Sequence, residues 1–165
     1  MGQQARLVLP FIVAAGLLAC ASSPQPRFYI LEAMAVPAAY SAGTGLTVVV
    51  GPLRLPEHLN REKLASREER YRVLVYDYDR WAEPLEDNVT SALAENISRL
   101  LPAERVVAYP ESIPDPDFTV RAQFMEFGPS VSGDVLLRAL WTVTPASGSE
   151  VIRHRTTIRE PRAGP

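Results

Sequence analysis

Between residues 81 and 102 the apolar positions recur at helical spacing. Leu85, Val89, Leu93, Ile97 and Leu100 fall at steps of three and four, and Ala92 and Leu101 widen the stripe. Pro84 suits a first turn, because its φ is already helical and its missing N–H has no partner to lose there. Glu83, Glu86 and Asp87 put negative charge at the positive end of the helix dipole, and Arg99 sits at the other end. Pro102 stops the helix. The polar positions Glu86, Asn88, Ser91, Glu95 and Ser98 are expected on the solvent side. The stripe reads as core packing against neighbouring strands. Asp79-Arg80-Trp81, just before it, is less plain: a Trp at a helix entrance clamps the helix or marks a contact surface.

The strands read by a different period. Phe28–Leu31 is a short one, and Leu46–Val50 is a continuous β-branched run closed by Gly51-Pro52. Tyr71–Tyr78 alternates and leads into the helix. Arg105–Tyr109 is another short strand. Asp117–Phe127 places Phe118, Val120, Ala122 and Phe124 on one face, and Val135–Thr144 follows the same rule. Turn signals at Ser132-Gly133-Asp134 and Ser147-Gly148-Ser149 separate these from Glu150–Arg159, giving an antiparallel meander. The charged run Leu53–Arg70 lacks periodicity and reads as an ordered surface loop with one helical turn. It is either solvated surface or, given its length, a binding segment. The fold class is α+β: a mixed or antiparallel sheet of five to seven strands with one long amphipathic helix packed on it.

Length and composition narrow the class. The 165 residues, 47% apolar and 22% charged, suffice for one domain with a core. A net charge of −2 and a pI near 5.7 leave no overall basic footprint for nucleic acid. The single cysteine excludes an internal disulfide. That cysteine closes Leu17-Leu18-Ala19-Cys20, behind the apolar run Leu7–Leu18, which is too short to span a bilayer as a helix. Leu17 and Ala19 resemble the bacterial lipoprotein signal, in which the cysteine becomes the lipidated N-terminus. An ordinary signal peptide is the plainer alternative. The expected organisation is a signal peptide over 1–19, lipidated Cys20 and tether over 20–27, one domain over 28–159 and a disordered tail over 160–165. Ala21, in place of Asp after the cysteine, resembles the outer-membrane sorting pattern and implies a periplasmic-facing domain.

Catalytic chemistry has little to build on. His58 and His154 stand in unrelated contexts, and no HExxH, GxSxG, paired-cysteine or phosphate-loop motif occurs. No catalytic residue, metal ligand or cofactor is expected beyond the lipid on Cys20. Asp77 and Asp79 share a strand face and read as a solvated strand end, with acid–base work as the alternative. Arg153, Arg155, Arg159 and Arg162 make the last segment basic. They either blunt an edge strand or meet anionic headgroups or an acidic partner.

An ordered set of motifs resembles the ABC-type transport auxiliary lipoproteins, the family of paraquat-inducible protein C. It comprises Cys20, Phe28–Leu31, Val50–Arg61 (VGPLRLPEHLNR) and Arg80–Leu85 (RWAEPL), followed by the helix ending at Leu100-Leu101-Pro102. The resemblance spans roughly Cys20 to Ile158. It implies a non-catalytic envelope lipoprotein that accompanies MCE-domain proteins and an inner-membrane permease and ATPase, or a related membrane protein, in lipid transport. The contact surface it suggests is Arg80 and Trp81 with Leu53, Pro56, Leu59 and Arg61 of the preceding loop. Family members usually add a C-terminal helix. Glu160–Pro165 cannot form one, so exposed apolar area and self-association, or a truncated variant, are expected. The alternative function is a lipoprotein module that activates a cell-wall synthase or another envelope machine; a periplasmic hydrolase is a third reading.

Overall fold

The computed structural model describes residues 23–35, 45–69, 71–101, 103–130, 132–148 and 151–161. The signal segment, Cys20 and Arg162 lie outside the described residues. The elements run β1 (Arg27–Tyr29), β2 (Thr47–Arg54), β3 (Lys63–Glu69), β4 (Arg72–Trp81), α1 (Leu85–Leu100), β5 (Arg105–Ala108), β6 (Phe118–Pro129), β7 (Val135–Pro145) and β8 (Ile152–Glu160). The class is α+β, as the pattern predicts. The strands divide between two sheets, a three-stranded one ordered β1-β4-β3 and a five-stranded one ordered β5-β2-β6-β7-β8. The second holds the meander: β6–β7 and β7–β8 pair antiparallel, while β2 runs parallel to both β5 and β6.

Helix α1 packs its apolar stripe on the five-stranded sheet. Leu85 and Val89 join Leu53, Leu59, Ala122, Phe124 and Ala139 in one core cluster, and Ala94 joins Val48 and Val50 in another. Full burial of Leu85 contributes about 1.5–3 kcal/mol before entropy is subtracted. The stripe fades toward its end, where Leu100 and Leu101 are nearly half exposed. Asn88 departs from the polar-side expectation. It is only 4% exposed, and its Oδ1 accepts from Leu31 N at 2.6 Å while its Nδ2 donates to Leu31 O at 3.1 Å. A helix side chain thus pairs the backbone of the segment leaving β1, whose polar groups no strand satisfies there.

Two strands differ in extent from the pattern. Strand β2 does not end at Gly51-Pro52 but passes through an irregular step there, which returns Leu53 to the core face. Gly51 has φ +112°, and a Cβ there would lie 2.7 Å from the Tyr109 Cβ. Half of the expected loop 53–70 is strand, the end of β2 and then β3, which pairs antiparallel with β4. Strand β3 carries charge because it is an edge strand, with only part of one face to bury. On β8 and its neighbour, Val135, Ile152 and Ile158 are exposed, so part of the sheet's apolar side lies open beyond α1. Among the described residues no helix is long and apolar enough to cross a membrane.

Candidate docking site

The site grows from the end of β4. Its residues Asp79, Arg80 and Trp81 align with Arg27, Phe28 and Tyr29 of β1 in parallel register. Asp79 is 8% exposed rather than a solvated strand end. It accepts from Arg27 Nε at 2.8 Å, Arg27 Nη2 at 3.0 Å and Tyr29 Oη at 2.9 Å. That hydrogen bond, with the attraction between the charges, raises the Arg27 pKa. Asp77, by contrast, is exposed and pairs with Lys63 Nζ at 2.7 Å. Its carboxyl is held below its ordinary range by that hydrogen bond and that charge. The two aspartates share a strand face but not a role: Asp79 locks β1 to β4 and Asp77 ties β4 to β3.

Next to Asp79 the chain turns toward α1. Trp81 N donates to Glu62 O, and Ala82 N donates to Tyr29 O, each at 2.8 Å. Arg80 Nη1 donates to Glu62 Oε1 at 2.7 Å. Arg80 Nε is buried without a hydrogen-bond acceptor among the described residues. Trp81 stacks on Phe127 of β6, with centroids 6.2 Å apart and planes 19° apart. Phe127 meets Phe124 edge-on, and Phe124 meets Trp141 of β7 in the same way. The aromatic chain mounts Trp81 on the core of the larger sheet. These surroundings frame a concavity of about 380 Å³, lined by Phe28, Asn60, Arg61, Glu62, Trp81 and the start of α1. Phe28 is 60% exposed at its rim.

The residues singled out from sequence do not all reach this surface. Trp81 and Arg61 line the concavity, and Arg80 stands beside it through Glu62. Leu53 and Leu59 are 1% and 4% exposed and belong to the core, so they serve the site only as its support. Pro56 is half-buried, and its carbonyl accepts from Leu59 N and Asn60 N in the turn that presents Arg61. Sequence reasoning overlooked Phe28 and Phe127. Strict alternation puts Phe127 on the outer face with Arg121 and Gln123. A register shift between Phe124 and Glu126 returns it to the core side. The apolar residue three positions after Phe124, in place of two, was the available signal.

A smaller cavity of about 220 Å³ lies behind the same loop, lined by His58, Leu59, Ser66, Arg67, Glu126 and the Phe127–Ser130 segment with Leu136. Burial, then the charges of Arg67 and Arg61, lower the His58 pKa. Glu126 lies 3.5 Å from Arg67 Nη1 and 3.0 Å from Arg138 Nε. The latter approach is out of hydrogen-bond alignment, which leaves Glu126 Oε2 without a hydrogen bond among the described residues. Among the described residues no three His, Cys, Asp or Glu side chains gather closely enough to hold a metal ion.

The sequence profile of a family described as the ABC-type transport auxiliary lipoprotein component matches residues 29–165. The chain belongs to that family. The auxiliary lipoprotein also shares its fold with solved structures. One, an uncharacterized protein, is 18% identical, with a TM-score of 0.71 over 86% of this chain and 84% of its own. Another, a Xanthomonas campestris protein assigned to the domain-of-unknown-function family DUF330, is 13% identical. Its TM-score is 0.67 over 84% of this chain and 80% of its own. No curated protein matches the sequence.

Proposed function

We infer that this auxiliary lipoprotein is a non-catalytic docking component of an MCE-type, ABC-linked lipid transport system. A lipid on Cys20 holds it at the periplasmic face of the outer membrane. Its folded part receives or steadies an MCE-domain partner, whose system is completed by an inner-membrane permease and ATPase or a related membrane protein. The observation that carries this reading is the concavity at the β4–α1 junction. There Trp81, braced by Phe127, stands beside exposed Phe28 and Arg61. A rigid aromatic with a neighbouring arginine and an exposed phenylalanine is the composition of an interface centre.

The test is co-purification of the tagged full-length lipoprotein with its envelope partners. Arg61→Glu changes an exposed side chain and leaves the core intact. It is expected to reduce recovery of an MCE-domain protein at least tenfold while the melting temperature stays unchanged. Trp81→Ala is expected to do the same at some cost in stability. Unchanged recovery with both variants, or consistent recovery of a cell-wall synthase instead, contradicts the reading.

A further inference from the structure

The side of the five-stranded sheet turned away from α1 carries an unbalanced set of arginines. The pairing registers put them in two adjacent rows. Arg121 of β6 stands opposite Thr142 of β7, which stands opposite Arg153 of β8. One row along, Arg54 of β2 is followed by Gln123, Leu140 and Arg155. Same-face neighbours along a strand lie about 7 Å apart, and strands two places apart about 10 Å, so the four guanidinium groups tile one flat patch. Arg54, Arg121, Leu140 and Thr142 line a shared depression of about 290 Å³ on it. All four arginines are exposed, and none has an ion pair among the described residues. The acidic groups nearest in register are engaged elsewhere: Asp117 accepts from Thr47 N and Oγ1, and Glu126 and Asp134 pair with Arg138 and Arg159.

The chain as a whole is net −2, so this patch is a local segregation of charge and not a consequence of composition. Its other residues include Thr119, Gln123, Leu140, Thr142, Thr144 and Thr157, with no aromatic among them. A protein-binding centre wants an aromatic anchor in a pocket. A plane of unpaired arginines among threonines is instead matched to a plane of phosphates. We propose that this face rests on an anionic phospholipid surface, orienting the domain on the membrane to which its family's lipid anchor attaches it. The inference uses the lipoprotein assignment of the proposed function but not its partner. Membrane contact through this face leaves the Trp81 concavity, on another part of the surface, free to engage the transporter. Each arginine is expected to favour the surface-lying state by roughly fivefold.

The full lipoprotein, purified from membranes and reconstituted in vesicles, provides the test. Energy transfer from its two tryptophans to a dansyl-headgroup lipid is compared in phosphatidylcholine vesicles and in vesicles with about one third phosphatidylglycerol. Transfer should rise with the anionic lipid and fall back at high salt. The rise should vanish in the quadruple variant Arg54→Gln, Arg121→Gln, Arg153→Gln, Arg155→Gln. It should persist in Arg99→Gln with Lys63→Gln, which removes positive charge from α1 and from β3 of the other sheet. Flotation with neutral vesicles reads the anchor separately: a chain that floats only with anionic vesicles lacks the anchor yet still supports the face. Transfer indifferent to lipid charge overturns the proposal. If the quadruple variant then loses a cross-linked protein instead, the face binds an acidic protein and the proposal is likewise overturned.

Discussion

Single side chains decide how the β1 segment is held, and two of them carry predictions. Asn88 pairs both backbone groups of Leu31 from inside the helix. Asn88→Leu leaves those groups buried without partners, at a cost of about 1–3 kcal/mol. Chemical denaturation should show the loss, and amide exchange should show it concentrated in residues 27–33. Asn88 falls three residues after Leu85 and four before Ala92, within the spacing of the stripe, but its amide makes it read as a solvent position. Only the segment leaving β1, more than fifty residues away in sequence, gives it a role. Asp79 escaped for the same reason: alternation placed it with Asp77, and the partners that cover it, Arg27 and Tyr29, come from β1. His58 carries a pH prediction. Its folded pKa is lowered by burial and by Arg67 and Arg61, so the unfolded chain binds the proton first as pH falls. Stability is therefore retained above the unfolded value, near 6.5, and declines as pH drops through it toward the lower folded value. His58→Gln should flatten that decline between about pH 7 and 5, read from urea midpoints across the range.

At the scale of elements, the helix was legible and β3 was not. Leu85, Val89, Leu93 and Ile97 fall where the period put them, against the five-stranded sheet, and Ala94, outside the expected stripe, is buried beside them. The far end of the stripe contributes less than its spacing suggests, since Leu100 is 45% exposed. Leu85→Ala should therefore cost about 2–5 kcal/mol, whereas Leu100→Ala should cost under about 1 kcal/mol. Calorimetry on the two variants separates them, and equal losses would show that the helix is buried along its whole length. Strand β3 hid because an edge strand in a small sheet needs little apolar alternation, and Lys63, Arg67 and Glu69 look like loop. Strand β2 was cut short in the sequence reading because Gly51-Pro52 reads as a terminator. In the fold it is a step inside the strand that restores Leu53 to the core. Gly51→Ala, with φ +112° and the Tyr109 Cβ in the way, should lower the melting temperature by several degrees.

Across the whole molecule, the two sheets divide the labour. The five-stranded sheet presents its apolar side to α1 and its arginine-bearing side outward. The three-stranded sheet carries β4 to the helix entrance, where β1, the Pro56–Glu62 turn and Trp81 meet. The motifs that resemble the family in sequence, Phe28–Leu31, Val50–Arg61 and Arg80–Leu85, lie far apart along the chain. The fold gathers Phe28, Arg61 and Trp81 around one concavity, which sequence order alone could not establish. The docking account depends on that convergence. It is tested most directly by photo-cross-linking in living cells, with a photoreactive residue in place of Phe28 at the rim and, separately, in place of Ser98 on the exposed side of α1. The account predicts a cross-link from position 28 to an MCE-domain protein and none from position 98. Cross-links of equal yield from both positions, or none to a transport component from position 28, would contradict it.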